Sequence, residues 1–234
     1  MKKINHFILF AGFCLLSLLT LAQDVKWEKQ IMFSLPTKNV EAISYNNDDI
    51  YIRTVDSLYI ISKNGEIKVK NSSTDKYLIF EGKNSYSLEN NIISDESHKT
   101  IIDLSEKLDK EGKITKYLAK TGDSFYTCVL DSTNISYSSN IAKVIYGNQI
   151  SMFCYIVGIP AGLYCYGDSL YYLYNKSVKN KNGMLRIYNF KSGDLISENE
   201  IPVINPIGIY VINDQLYTYS NLSGEFIQLT KGGK

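Results

Sequence analysis

Residues 162–201 decide the fold. They run Gly162-Leu163-Tyr164-Cys165-Tyr166, then Gly167-Asp168, then Ser169-Leu170-Tyr171-Tyr172-Leu173-Tyr174. A polar stretch from Asn175 to Gly183 follows, then Met184 to Phe190, a Ser192-Gly193 turn, and Asp194 to Ile201. Tyr, Leu and Ile suit a pleated, half-buried surface, whereas Gly, Asp and Asn suit the tight turns between strands. The segment reads as four consecutive strands joined by hairpins. Apolar and polar residues alternate in Leu185-Arg186-Ile187-Tyr188 and Ile196-Ser197-Glu198, as in outer strands with one face in water.

Outward from there, the opening of the second strand recurs. It reads Asp49-Ile50-Tyr51, Asn84-Ser85-Tyr86, Asp123-Ser124-Phe125-Tyr126, Asp168-Ser169-Leu170-Tyr171 and Asp214-Gln215-Leu216-Tyr217, with tyrosines 35, 40, 45 and 46 residues apart. The second copy lacks the Asp. That period is what one four-stranded blade of a β-propeller occupies. The first unit has the same parts: Val40 to Tyr45, Ile50 to Thr54, Leu58 to Ser62, a Lys63-Asn64-Gly65 turn, and Glu66 to Lys70. The last unit starts near Ile207 and ends after about three strands at Glu225 to Thr230. Lys29 to Leu35 is a spare strand before the first unit, ended by Pro36 as Pro202 ends the outer strand of the fourth. One missing strand and one spare strand imply a ring closed by the N-terminal strand, which leaves no open edge. The expected fold is all-β: a propeller of about five four-stranded blades. An alternative register aligns Asp214 to Phe226 on Asp56 to Ile67 and shifts the last blade by one strand. Leu104 to Lys110 has helical content but is short, polar and uncapped, so it reads as a loop or a single turn.

The run Asp49-Ile50-Tyr51-Ile52 with Ser57-Leu58-Tyr59-Ile60-Ile61-Ser62-Lys63-Asn64-Gly65-Glu66-Ile67 resembles blades of the NHL-like and six-bladed β-propeller proteins exported by Bacteroidetes-type bacteria. The Leu185 to Ile196 segment, with Lys191-Ser192-Gly193-Asp194, is similar to the Thr-Gly turn of quinoprotein-type blades. The resemblance covers about half the chain and implies fold more than function.

Residues 1–22 have the three parts of a secretory signal peptide: Lys2 and Lys3, an apolar run from Phe7 to Leu21, and Thr20-Leu21-Ala22 before a cut. About 15 apolar residues fall short of the ~20 that a spanning helix needs. Phe13 before Cys14 does not suit a lipid anchor. The remaining residues, 23–234, form one propeller domain in this reading, with no membrane span and 23 basic against 24 acidic side chains. No basic stripe points to nucleic acid. Cys128, Cys154 and Cys165 remain after the cut, each among strand-like neighbours and read as small buried apolar residues; Cys154 and Cys165 could pair if their strands are neighbours. Tyrosine makes up 19 of 29 aromatics, an excess that β-structure explains before binding does.

Much chemistry is missing. His98 is the only histidine after the cut, in the charged turn Asp95-Glu96-Ser97-His98-Lys99, and no Gly-x-Ser-x-Gly elbow accompanies it. A site of several His or Cys zinc ligands, a phosphate-cradling Gly loop and a calcium loop all lack their patterns, so no cofactor is implied. A glycan-cleaving carboxylate pair would need two acids converging on one cavity, and only Glu41, Asp75 and Glu81 fall where an inner strand could present them. Asp49, Asp123, Asp168 and Asp214 read as turn residues. Asn71, Asn134, Asn175 and Asn221 open Asn-x-Ser sequons, and Asp56-Ser57-Leu58, Asp131-Ser132-Thr133 and Asp168-Ser169-Leu170 resemble the Bacteroidetes O-glycosylation signal.

The leading expectation is an exported, non-enzymatic binding module for a protein or glycan, in the periplasm, secreted or on the cell surface of a bacterium. The alternatives are a carboxylate-dependent glycan-cleaving enzyme and an envelope structural or assembly protein. Long connections on a rigid scaffold carry recognition residues. Here they are Asp131 to Asn140, Asn175 to Gly183, Leu104 to Thr115 and Pro202 to Pro206, all on one rim. The candidate binding residues are Lys176, Lys179 and Lys181 in one of them and Tyr137 in another. Protein purified from a homologous host is expected to begin at Gln23, cyclised or not; an intact mass that retains residues 1–22 would overturn the signal-peptide reading.

Overall fold

The computed structural model describes residues 25–35, 40–46, 49–71, 79–81, 83–133, 139–145, 148–156, 158–177 and 181–232. The chain enters as Trp27–Ser34 (β1). Blade 1 follows as Val40–Asn46 (β2), Asp49–Thr54 (β3), Leu58–Ser62 (β4) and Ile67–Asn71 (β5). Blade 2 is Ile79–Glu81 (β6), Asn84–Glu89 (β7), Ile92–Asp95 (β8) and Thr100–Asp103 (β9). After the helix Ser105–Lys110 (α1), blade 3 is Lys113–Thr121 (β10), Ser124–Asp131 (β11), Ser139–Ile145 (β12) and Gln149–Ile156 (β13). Blade 4 is Ile159–Tyr166 (β14), Ser169–Asn175 (β15), Asn182–Asn189 (β16) and Leu195–Ile204 (β17). Blade 5 takes Pro206–Ile212 (β18), Gln215–Ser220 (β19) and Glu225–Lys231 (β20), and β1 returns as its fourth strand. The protein is thus a ring of five four-stranded antiparallel blades, not the six of the family that the repeat resembles.

The ring closes as the sequence implies. β1 pairs antiparallel with β20, from Trp27 opposite Lys231 to Ser34 opposite Glu225. β18, β19 and β20 are the first three strands of the last blade, which excludes the shifted register. The first strand of every blade lies inside, and each inner strand contacts the next all the way round: β2, β6, β10, β14, β18 and back to β2. The repeat tyrosines Tyr51, Tyr86, Tyr126, Tyr171 and Tyr217 all fall on second strands.

Aromatic pairs join the blades. Tyr51 meets Phe80 at 4.6 Å, Tyr86 meets Phe125 at 5.3 Å, Phe153 meets Tyr188 at 6.2 Å and Tyr164 meets Tyr210 at 5.7 Å, centroid to centroid. Each pair is worth ~0.5–1.5 kcal/mol beyond the area it buries. Between blades 5 and 1, Ile207, Tyr219 and Phe226 pack with Ile43, Ile50 and Ile52. Lys120, on the inner strand of blade 3, ion-pairs with Glu81 of blade 2 and lies over the Tyr86 ring at 5.2 Å. Tyr51, Tyr86, Tyr164, Tyr188 and Tyr210 thus serve the contact faces of the blades.

Two expectations need correction. β17 runs through Pro202 to Ile204, and β18 starts at Pro206, so Pro202 ends nothing and the connection between blades 4 and 5 shrinks to Asn205. Proline is tolerated because β17 is the outermost strand and its free edge needs no N–H. Leu104 to Thr115 is likewise not an open loop: α1 packs Leu108 inward, and Asp103 Oδ1 accepts the Ser105 N–H at 2.9 Å. The span 36–39, with Pro36, lies outside the described residues.

A chain lacking residues 24–36 leaves the β20 edge, with Phe226, Ile227 and Leu229, without its partner strand. Size-exclusion chromatography is expected to show aggregation of this variant. A variant that stays monomeric and melts like the parent would count against the closure.

Candidate functional site

Antiparallel blades give the ring two unlike rims. Connections from first to second and from third to fourth strands lie on one, here the turn rim. Connections from second to third strands and between blades lie on the other, the loop rim. On the turn rim, Asp123, Asp168 and Asp214 stand in turns and Asp49 opens β3. Asp49 pairs with Lys68 at 2.6 Å and Asp168 with Lys191 at 2.9 Å. Local bonding accounts for these two carboxylates.

The axis between the rims is plugged. Ile43, Tyr45, Phe80, Tyr117, Tyr164 and Tyr210 line it, and the space left to water is ≈ 30 Å³, room for about one or two molecules. Burial raises the Tyr210 phenol well above the usual tyrosine range. No carboxylate lines this cavity among the described residues. Glu81 is engaged by Lys120, half-buried Glu41 is not part of the lining, and Asp75 lies outside the described residues. Glu198, half-buried in blade 4, accepts from Arg186 Nε at 2.7 Å and from the Tyr174 hydroxyl, so it is held in an ion pair.

The loop rim is built by bulges. β2, β10, β14 and β18 each break register near this rim, at Val40/Ala42, Lys116/Leu118, Pro160/Gly162 and Ile207/Ile209. A bulge bends the strand and re-aims one side chain. In β10 that residue is Tyr117, with φ 57°, a left-handed conformation that is rare for an aromatic residue. It borders both the axis and a cavity of ≈ 440 Å³ between blades 4 and 5. Pro160, Asn175, Ser177, Asn205 and Leu222 complete the wall. Asn175 Oδ1 and Ser177 Oγ are buried there without a hydrogen-bond partner among the described residues. An unpaired buried polar group costs ~1–3 kcal/mol, so an arriving ligand or water that pairs with them is favoured.

Exposed Lys176 sits between Asn175 and Ser177, and the backbone carbonyl of exposed Lys181 accepts the Asn205 N–H at 3.3 Å. The structure thus brings these two predicted residues to the edge of the cavity. Lys179 and Tyr137 lie outside the described residues. The sequence reading missed Tyr117, Asn175, Ser177 and Leu222. A signal for one of them exists: an Asn stands four or five residues after the repeat tyrosine at Asn91, Asn175 and Asn221. Asn221 takes the Val40 N–H at 2.9 Å and donates to the Val40 carbonyl at 3.3 Å, tying blade 5 to blade 1. Asn91 takes the Thr115 N–H at 2.7 Å and donates to the Lys113 carbonyl at 3.0 Å, tying blade 2 to blade 3. The sequons at Asn175 and Asn221 therefore hold amides that bond to the next blade, at Pro206 O and Val40, and a glycan there would break those bonds.

His98 is exposed in its turn, where Asp95 Oδ1 accepts the Ser97 and Lys99 N–H groups at 3.0 Å. Among the described residues no group of three or more His, Cys, Asp and Glu could hold a metal ion. Among the described residues Cys128, Cys154 and Cys165 are free. Cys154 is on the outermost strand of blade 3 and Cys165 on the innermost strand of blade 4, so their strands are not neighbours.

No protein-family model matches the sequence, and no curated protein matches it. Solved structures do. A calcium-binding protein, regucalcin, from Agrobacterium tumefaciens is 10% identical over 91% of this chain and 98% of that one, with a TM-score of 0.53. The WD40 β-propeller domain of Doa1 is 13% identical over 82% of this chain and 64% of that one, with a TM-score of 0.50. The chain is a β-propeller. Identities this low show the fold alone.

Burial pushes the Cys165 thiol up to about 12 and the Cys128 thiol higher than its ordinary value as well. A thiol is reactive as thiolate, and with a pKa near 12 roughly one part in ten thousand is ionised at pH 8. The expected outcome is that a thiol reagent labels Cys128 and Cys165 slowly in the native protein at pH 8, faster as pH rises, and at once in denaturant. Rapid native labelling of either, located by peptide mapping, would contradict this burial.

Proposed function

We propose that the protein is an exported binding module whose loop rim takes a negatively charged protein or glycan. The observation that carries this reading is the ≈ 440 Å³ cavity between blades 4 and 5, uncharged among its described lining residues and flanked by exposed Lys176 and Lys181. Its size is that of ligand sites in general. Aromatic side chains fill the axis, and no carboxylate is among its described lining residues; Asp75 lies outside the described residues. Export rests on Lys2, Lys3 and the apolar run to Leu21, all outside the described residues. A cut after Ala22 leaves β1 whole, since that strand starts at Trp27. Residues 23–234 then form the one propeller domain. The Asp49 to Ile67 run, which resembles blades of exported Bacteroidetes-type propellers, supports a bacterial envelope setting.

The test replaces Lys176, Lys179 and Lys181 together with Ala in a protein whose partner has been captured by pull-down. Exposed charges are screened beyond a Debye length of ~8 Å at physiological salt, so wild-type binding is expected to weaken steeply with salt and the triple variant to bind more weakly and with a shallower salt dependence. Unchanged affinity in the triple variant, or an equal loss when Asp49 and Asp168 on the turn rim are replaced, would show that the loop rim is not the binding face.

A further inference from the structure

A second cavity of ≈ 440 Å³ opens on the turn rim, also between blades 4 and 5. Ring closure creates it, because the wall on the blade 5 side is Trp27 of β1, held opposite Lys231. Tyr166 and Tyr171 form the facing wall, and Leu216 and Leu229 the apolar floor. Trp27 is the only tryptophan of the chain and is 6% exposed, and its indole N–H is buried with no hydrogen-bond partner among the described residues. Tyr166 is 38% exposed, and its phenol donates to the Asp214 carboxylate, which holds the phenol above the usual tyrosine range. Asp214, Gln215, Thr230 and Lys231 supply the polar border.

The chemistry of this lining selects a ligand class. Asp214 and Lys231 have opposite signs, so an anion and a cation each meet a like charge on entering. The border carries both donors and acceptors, so the ligand must both donate and accept. Three aromatic rings over an apolar floor want flat C–H surface. A purely apolar side chain would cover Asp214 and leave the Trp27 N–H unpaired, and each unsatisfied group weakens binding. Hydroxyl groups around a C–H face meet all these demands. We propose that the turn-rim cleft is a binding site for a neutral saccharide, distinct from the loop-rim site and sharing none of its residues.

Trp27 makes the test direct. The mature protein, residues 23–234, is excited at the single tryptophan and titrated separately with cellobiose, maltose and lactose. At least one is expected to give a saturable change in emission that does not vary with salt, since the ligand is neutral. Tyr166→Ala and Asp214→Gly are each expected to weaken that binding about tenfold, which corresponds to ~1.4 kcal/mol. Asp214→Gly keeps the turn, because Asn213 and Asp214 have φ of 47° and 61° and Asn-Gly suits two left-handed positions. The Lys176, Lys179 and Lys181 triple variant is expected to titrate like wild type, so failure of the loop-rim reading leaves this result intact. The proposal is overturned if no disaccharide changes the emission up to about 50 mM, if both turn-rim variants bind like wild type, or if the response falls with salt.

Discussion

The pairing of β1 with β20 is the contact on which the rest depends. Seven registered residue pairs from Trp27–Lys231 to Ser34–Glu225 join the two ends of the described chain. A sheet edge without a partner presents a row of unpaired N–H and C=O groups, and blade 5 without β1 would end at β20. Closure also determines what lies near the last boundary. It sets Phe33 on Phe226 at 4.9 Å, brings Trp27 into the core between blades 4 and 5, and leaves Val40 within reach of Asn221. Gly65 shows how tight this seat is: with φ 86°, a Cβ there would lie 2.8 Å from Phe33 Cβ.

Five blades close on a narrow axis, and narrowness moves open space outward. A Cβ at Gly162 would stand 3.0 Å from the Gly208 backbone, so blades 4 and 5 touch backbone to backbone at the centre. The tyrosines at 45, 117, 164 and 210 fill what remains. Space for a ligand opens only where the strands have diverged, at the rims. The bulges in four inner strands do this work on the loop rim, and the β1 strand does it on the turn rim.

The architecture was legible because each blade repeats one local pattern. Ser169 to Tyr174 and Asp214 to Tyr217 both carry the turn-then-aromatic opening, and a spare strand at Lys29 to Leu35 had one place to go. Proline misled at 202 because its usual conflict with a ladder vanishes on an outermost strand. The cavities were not legible. Tyr117, Asn175 and Leu222 meet only through the ring, and Tyr117 turns toward them through a bulge that no single-residue preference announces. The recurring Asn was visible but carried two readings. Its amide is a glycosylation acceptor by motif and a clip to the next blade by geometry, and Asn91 does the second without any sequon.

Both cavities lie along one boundary, between blades 4 and 5, and differ in what borders them. Lysines flank the loop-rim cavity, whereas an acid and a base of blade 5 both border the turn-rim cleft. The spacing of that boundary is set in three places. The Gly162–Gly208 approach fixes it at the axis, the Tyr164–Tyr210 pair at 5.7 Å just outside, and the Asn199 side chain, which accepts the Val25 N–H at 3.0 Å, near the periphery. Close-packed interiors of this kind shift between discrete arrangements rather than deforming smoothly. With backbone already against backbone at Gly162 and Gly208, blades 4 and 5 have no closer arrangement to adopt at the axis, and the two mouths differ in their linings alone.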